Sequence, residues 1–287
     1  MADQDMPIES AEDTIKRIFS TGDSTVGAEI THEFNRYSRL QEVTFPKPAR
    51  TRLIAVANQK GGVGKTTSTV NIAAALAKNG ARVLVIDMDP QGNCSTALGV
   101  RHESGEPSVY DVLEGRMSIA EVKRPCPDFE TLDVVPASID LSGAELEVAQ
   151  FENRNNLLNE AVQQFLRESN EHFDYVFIDC PPSLGLLVIN AMCAAREMLI
   201  PIQAEYYALE GLGQLINTIG LVQEHFNPIL TVSTMMVTMF DKRTLLSREV
   251  YNEVKSHYPS IVLDTTIPRT VKISEAPSFN KSVISYD

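Results

Sequence analysis

A glycine-rich loop between an apolar segment and a helical pattern constrains the fold of this chain more than any other feature. The apolar segment runs from Leu53 to Ala57, and the helical pattern continues to Lys78. In a strand–loop–helix unit of this kind, backbone N–H groups of the loop and the helix N-terminus converge on an anion. The lysine of the loop adds positive charge, and the hydroxyl after it suits Mg²⁺. The residues predicted to bind the phosphates of a nucleotide are Lys60, Gly61, Gly62, Val63, Gly64, Lys65, Thr66 and Thr67.

Apolar strand patterns alternate with helical patterns from Arg52 onward. The predicted strands are 53–58, 82–89, 132–136, 175–179, 198–202, 230–239 and 261–267, and the predicted helices are 67–78, 141–150, 155–168, 186–195, 209–226 and 245–257. Strands this apolar, separated by helices, predict an α/β fold: a mostly parallel, doubly wound sheet of the P-loop NTPase type with helices on both faces. Ligands of such sheets bind beyond the carboxyl ends of the strands.

Two of the predicted strands end in carboxylates. The strand that starts at Val83 reaches Asp87 and Asp89, which we expect to point to one face because strand side chains alternate. These two residues could also do no more than solvate the end of the strand. The strand from Tyr175 ends in Asp179, which is the Walker B arrangement, and we expect Asp179 to hold Mg²⁺ through water.

Several segments in combination resemble one protein family. The loop lacks the first glycine of the usual P-loop pattern, because Gln59 stands there, and it carries an extra lysine, Lys60. This form resembles the deviant Walker A loop of the ParA/MinD group of P-loop ATPases. The segments DMDPQG from Asp87, DCPPSLG from Asp179 and IPRTVKISEAP from Ile267 resemble those of the ParA (Soj) proteins of DNA partitioning.

The resemblance implies an ATPase that uses ATP and Mg²⁺. It implies that Lys65 is catalytic together with Asp89, which would position the water that attacks the γ-phosphate. Lys60 would be catalytic in trans, reaching into the partner's site of an ATP-bound sandwich dimer as an arginine finger does. A solvated loop lysine is the other interpretation of Lys60. The remaining contacts implied are Thr66, Asp89 and Asp179 at the metal and Pro268 against the adenine.

Non-specific double-stranded DNA is a further ligand that the resemblance implies. The implied contacts are Arg243, Arg269 and Lys272, with Arg248 as a weaker candidate. The net charge of −13 argues against a basic surface throughout, although residues 240–281 carry more basic than acidic side chains. Phosphate contacts require only positive charge, so a few such residues in each subunit of a dimer are sufficient. A solvated face without a ligand is the alternative.

The leading hypothesis is therefore a DNA-partitioning ATPase. Its ATP-bound dimer would bind DNA, and a ParB-like centromere-binding partner would stimulate slow hydrolysis that releases it. A MinD-like membrane-switching ATPase is the alternative, and a basic amphipathic helix after Tyr286 is the pattern we would expect of it. An amidoligase-like enzyme, which phosphorylates a carboxylate, would need a small-molecule pocket with its own acid and base, and the sequence indicates none.

Composition indicates how the chain is divided into segments and where the protein is expected to be located. Residues 1–50 are polar and mixed in charge, so we expect a flexible arm before an ATPase domain over residues 51–287. No run approaches the roughly 18 apolar residues of a membrane span. Pro7 and acidic residues occupy the place of a signal-peptide core, so we expect a cytoplasmic, nucleoid-associated protein. The four cysteines lack metal-ligand spacing and are expected to be buried thiols.

Overall fold

The computed structural model describes residue 35 and residues 45–206 and 208–286, without the side chains of 144–146 and 208–210. The chain divides into a unit of Met1–Pro46 and a unit of Lys47–Asp287, and the elements below belong to the second unit. Most of the predicted N-terminal arm lies outside the described residues, so its flexibility stays a prediction.

A seven-stranded sheet organises the described part of the second unit. Its strands are β1 (Arg52–Val56), β2 (Val83–Asp87), β3 (Arg124–Cys126), β4 (Phe129–Val135), β5 (Tyr175–Asp179), β6 (Glu197–Gln203) and β7 (Thr231–Thr238). They follow the spatial order β3-β4-β2-β5-β1-β6-β7. Every pairing in this sheet is parallel except that of β3 with β4, which confirms the predicted, mostly parallel arrangement.

Helices cover both faces of the sheet. They are α1 (Lys65–Lys78), α2 (Asn93–Ala97), α3 (Val109–Leu113), α4 (Ile119–Val122), α5 (Leu141–Val148), α6 (Leu157–Glu168), α7 (Leu186–Ala194), α8 (Ala208–His225), α9 (Leu245–His257), α10 (Val271–Glu275) and α11 (Val283–Tyr286), with a 3₁₀ turn at Ala276–Phe279. Successive residues of β1 enter different cores, because strand side chains alternate: Leu53 and Ala55 join one buried cluster, and Ile54 and Val56 join the other. None of the described helices is long and apolar enough to cross a bilayer.

The sheet edges depart from the sequence-based prediction. Residues 261–267 do not form a strand but meet β7 through single parallel bridges, Met235 with Val262 and Phe240 with Pro268. Asp264 projects into solvent between these bridges and Pro268 has no N–H to donate, so the ladder cannot continue. The short antiparallel β3 was not predicted, because it has three residues and contains Pro125.

The register of the three central strands brings their carboxyl ends to one edge. Asp179 at the end of β5 lies beside Val56 of β1 and beside Asp87 of β2. The loop after β1 and the turn after β2 therefore leave the sheet on either side of Asp179. The four cysteines are free and buried, which confirms that prediction.

Candidate functional site

The loop between β1 and α1 owes its shape to two glycines with positive φ. Gly62 has a φ of +75° and Gly64, which precedes α1, has a φ of +91°, a backbone region that strains residues with a side chain. Thr238 of β7 supports the loop from behind, since its hydroxyl donates to the carbonyl oxygen of Val63 at 2.7 Å. The predicted phosphate loop is thus held against the sheet edge.

Lys65 begins α1 and is almost fully buried. Its Nζ donates to the carbonyl oxygen of Lys60 at 3.3 Å, so the lysine lies across the loop. Burial lowers the pKa of Lys65, and the nearby carboxylates of Asp179 and Asp89 oppose that effect. The ammonium group of Lys65 is therefore placed to contact an anion bound by the loop.

Asp179 lies beneath the first two turns of α1, and both of its oxygens accept hydrogen bonds from hydroxyls. Thr66 Oγ1 donates to Oδ2 at 2.7 Å, and Thr69 Oγ1 donates to Oδ1 at 2.8 Å. The carboxylate is fully buried, and its pKa is raised by that burial and by the charge of Asp87, against the effect of the two hydroxyls. Thr66 and Asp179, both predicted at the metal, are therefore in contact.

Asp87 and Asp89 lie in different environments. Strand β2 ends at Asp87, so the alternation expected along a strand does not extend to Asp89. Asp87 is fully buried and accepts hydrogen bonds from the backbone N–H and the hydroxyl of Ser95, at 2.9 and 2.7 Å. Burial raises the pKa of Asp87 to about 6. Asp87 thus joins β2 to α2, while Asp89 in the following turn lines a cavity.

This cavity has a volume of about 400 Å³ and lies between the loop, α2 and the C-terminal segment. The predicted residues that line it are Gly61, Gly62, Gly64, Lys65, Thr66, Thr67 and Asp89. The lining also contains the apolar residues Met239, Ile273, Ala276, Pro277 and Val283, and Lys281 from the same C-terminal segment. A cavity lined by polar loop groups together with apolar side chains fits a ligand with phosphates and a planar base. A larger groove of about 930 Å³ beside α4 and α6 contains none of the predicted residues.

Four predicted nucleotide or metal residues do not line the cavity. Val63 is buried beneath the loop, and Asp179 acts through its contact with Thr66. Lys60 points away, since its Nζ donates to Oε2 of Glu205 at 2.9 Å. Pro268 is held by its bridge to Phe240, so a contact with adenine stays a prediction for it. Pro277, which the sequence-based prediction missed, lies in the same IPRTVKISEAP segment and does line the cavity.

The donor set of the cavity fits Mg²⁺ together with phosphates. Mg²⁺ prefers oxygen ligands and keeps several waters, and Thr66 offers a hydroxyl above the buried Asp179. The negative charge of Asp87 raises the pKa of the neighbouring Asp179, and a bound cation would oppose this effect. No group of three or more His, Cys, Asp or Glu side chains among the described residues could hold a metal ion. The ion would therefore depend on phosphate and water ligands.

The three predicted DNA contacts lie on exposed segments after β7: Arg243 and Arg269 on loops, and Lys272 in the short helix α10. The side chain of Arg243 is 89% exposed and pairs with Asp241 at 2.7 Å. Hydrogen bonds from Arg243 lower the pKa of Asp241 to about 2, so this arginine is partly neutralised. Arg269 and Lys272 are also exposed, and Arg269 contacts the sulfur of Met239 at 3.5 Å. Met239 and Ile273, the neighbour of Lys272, both line the cavity.

Comparison with known proteins identifies the family. A family model described as an AAA domain matches residues 51–232. The chromosome partitioning protein ParA of Caulobacter vibrioides is 48% identical over 238 residues, which cover 82% of this chain and 87% of that protein. The sporulation initiation inhibitor protein Soj of Bacillus subtilis is 47% identical over 236 residues, with coverages of 82% and 91%.

A solved structure shares the fold at a moderate level of identity. Cobyrinic acid a,c-diamide synthase from Mycobacterium smegmatis, with bound ATP analog and magnesium, superposes with a TM-score of 0.71 at 39% identity. The match covers 82% of this chain and 91% of that one. The loop, the strand-end carboxylates and these relatives lead to one conclusion. This chain belongs to the ParA/Soj family of chromosome partitioning ATPases.

Proposed function

We propose that this chain hydrolyses ATP in a DNA-partitioning cycle at the nucleoid. The ATP-bound form is a sandwich dimer that binds double-stranded DNA non-specifically, and a ParB-like centromere-binding partner stimulates the slow hydrolysis that releases it. The observation that carries the proposal is the meeting of Lys65, Thr66 and Asp89 at one cavity, above the buried Asp179. Phosphoryl transfer needs this kind of positioning and charge neutralisation more than covalent chemistry.

Each side chain has a separate role in this proposal. Lys65 binds phosphate oxygens, and Thr66 is oriented toward the metal position by its hydrogen bond to Asp179. Asp89 orients the water that attacks the γ-phosphate, because it is the carboxylate that lines the cavity. Mg²⁺, when bound, neutralises charge on the phosphates. The apolar wall around Pro277 excludes water from the side of the base.

Lys60 acts across the dimer in this proposal. Its present partner, Glu205, belongs to the segment after β6, and both side chains are partly exposed, at 34% and 49%. Exposed ion pairs of this kind contribute only about 0.2–1 kcal/mol, so the contact can be exchanged for a phosphate at small cost. A cation supplied in trans is worth about 10³–10⁵ in rate.

The geometry also supports a link between nucleotide and DNA. Met239 lines the cavity and contacts Arg269, and Ile273 lines the cavity one residue after Lys272. The basic side chains therefore belong to segments whose other residues form the cavity wall. A nucleotide in the cavity, or a second subunit over it, changes the surroundings of these segments directly.

Phosphoryl transfer to a carboxylate is the second candidate function. It is favoured by one observation, the 39% identity to a diamide synthase with a similar fold. Turnover that requires an added carboxylic acid would support this candidate over partitioning. Binding to anionic vesicles with ATP, in place of DNA, would instead support a membrane-switching ATPase.

Phosphate release and molar mass in solution test the proposal. We expect the wild type to release phosphate from ATP with Mg²⁺ and to dimerise with ATP but not with ADP. Lys65→Ala and Asp89→Asn should lose hydrolysis, and Lys60→Ala should lose hydrolysis together with the dimer. Lys78→Ala is the matched control, because this exposed lysine ends α1 away from the loop. Hydrolysis by Lys65→Ala at the wild-type rate would overturn the proposal.

A further inference from the structure

One imidazole covers the turn that carries Asp89. A Cβ atom added to Gly92 would lie 2.5 Å from Cε1 and 2.6 Å from Nδ1 of His102. Real Cβ atoms do not approach other atoms this closely, so the ring lies directly on the α-carbon of Gly92. Gly92 is the N-cap residue of α2 and has a φ of +62°. A glycine therefore both allows this backbone conformation and leaves room for the imidazole ring.

The same ring is joined to the cavity by a hydrogen bond. His102 Nε2 and Thr96 Oγ1 are 2.8 Å apart. Thr96 lines the nucleotide cavity together with Asp89, and its backbone N–H donates to the carbonyl oxygen of Gly92 at 2.9 Å. His102 therefore contacts both Gly92, the residue that caps the N-terminus of α2, and Thr96, one turn later.

The Asp89 turn is supported differently on its two sides. On the inner side, Asp87 accepts two hydrogen bonds from Ser95 and so fixes the start of α2. Within the turn, Gly92 N–H donates to the carbonyl oxygen of Asp89 at 2.8 Å. The outer side faces an open cleft of about 580 Å³ that Pro90, Gln91 and His102 line. On this side the imidazole packs against Gly92 at the end of the turn.

We propose that His102 is a positioning residue for Asp89, holding its turn in the geometry that water attack requires. The inference rests on the proposed role of Asp89. Catalytic groups must be held to within about 0.5 Å, and a displacement of about 1 Å can cost about 100-fold in rate. Removal of the ring leaves the outer side of the turn without this packing contact, and it does not alter the phosphate loop. We therefore expect it to lower the turnover rate and to leave the affinity for ATP unchanged.

The test compares kcat and KM for ATP in three variants. His102→Ala should lower kcat by about 10- to 100-fold with KM within about twofold. His102→Gln, which can still hydrogen-bond Thr96, should recover most of the loss. Arg101→Ala is the matched control, because this exposed neighbour pairs with Glu103 and Glu106 and should leave kcat unchanged. Melting temperatures should agree within about 2 °C, because Arg101 is exposed and His102 is only partly buried.

Double substitutions separate this inference from the proposed function. In an Asp89→Asn background, His102→Ala should cause no further loss of the residual turnover that this variant retains. The substitution Gly92→Ala displaces the imidazole ring. It should therefore reduce turnover less when it is made in the His102→Ala variant than when it is made in the wild type. If His102→Ala turned over ATP at the wild-type rate, the inference would be overturned. It would also be overturned if the double variant lost turnover by the product of the two single losses. In both cases the proposed role of Asp89 would stand. Wild-type turnover of Asp89→Asn would overturn the proposed role of Asp89 and this inference with it.

Discussion

The hydroxyl of Thr69 offers a direct test of how the buried Asp179 is stabilised. Thr69 is fully buried, and its Oγ1 donates to Oδ1 of Asp179 at 2.8 Å. Thr69→Val keeps the shape of the side chain and removes only the donor. The second oxygen of Asp179 keeps its bond from Thr66. The same hydroxyl also lies 3.0 Å from the carbonyl oxygen of Lys65, which accepts its hydrogen less closely than Asp179 does. The substitution therefore removes the shorter hydrogen bond, to a buried carboxylate, together with this weaker contact.

The expected loss follows from the charge of the acceptor and applies at about pH 8.5, because burial raises the pKa of Asp179 to about 7 and the carboxyl group is ionised above that value. Hydrogen bonds to charged groups contribute about 1.5–3 kcal/mol, and a buried acceptor without its donor also keeps its desolvation cost. The methyl group of valine offsets part of this loss, so we expect a decrease of about 2 kcal/mol in the free energy of unfolding. For a domain of this size, that corresponds to a melting temperature lower by about 4–8 °C.

Urea and thermal unfolding of the nucleotide-free protein in a chelator measure this loss. Thr67→Val is the matched control, since it makes the same replacement in the same turn of α1 at a partly exposed site. We expect Thr67→Val to change stability by less than about 0.5 kcal/mol. Equal stabilities of the two variants would refute the argument that Asp179 is held as a charged group by the hydroxyls.

Three further predictions concern the sheet and its core. Phe173→Ala should cost about 3–5 kcal/mol in urea unfolding, because its fully buried ring packs 5.4 Å from that of Phe165; Phe173→Leu should cost less, and equal losses would contradict the cavity argument. The hydrogen bond from Arg52 lowers the pKa of Glu197 below 4.5. The pair therefore stabilises the folded protein above about pH 4.5, and this stabilisation disappears as the pH falls through the lowered pKa. Arg52→Gln should thus cost up to about 1 kcal/mol at pH 7 and less at pH 3, and a difference independent of pH would refute the linkage. Burial raises the pKa of Cys193 to about 11, so its thiol should react slowly with a thiol reagent until the protein unfolds, and rapid native reaction would contradict this.

The central part of the fold could be predicted because its signals are local. The runs that became β1, β2 and β5 are continuously apolar; β2 and β5 end in Asp87 and Asp179, and the glycine-rich loop comes after β1. The edges were less predictable. Residues 261–267 have strand-like composition, but hydrogen-bonding partners on β7 are available only at single positions there. Pairing of this kind depends on tertiary context, which composition does not contain.

The sequence motifs predicted which residues form the candidate site, but they did not predict the long-range contacts between its side chains. The loop sequence identifies Lys65 and Thr66, and the strand end identifies Asp179. The contact of Lys60 with Glu205 joins residues 145 positions apart, and no local pattern signals it. The glycine at position 92 signals a turn with positive φ, yet the ring of His102 on top of it becomes visible only in three dimensions.

Co-sedimentation with DNA tests the central claim most directly. Wild type and Arg243→Glu are compared with ATP, ADP or no nucleotide, at low and moderate salt. Arg167→Glu, an exposed arginine in the last turn of α6, controls for the change in net charge. We predict binding of the wild type and Arg167→Glu that requires ATP and weakens with salt, and no binding of Arg243→Glu. Equal DNA binding in all nucleotide states, or no binding in any of them, would contradict the account of this protein as an ATP-dependent DNA switch.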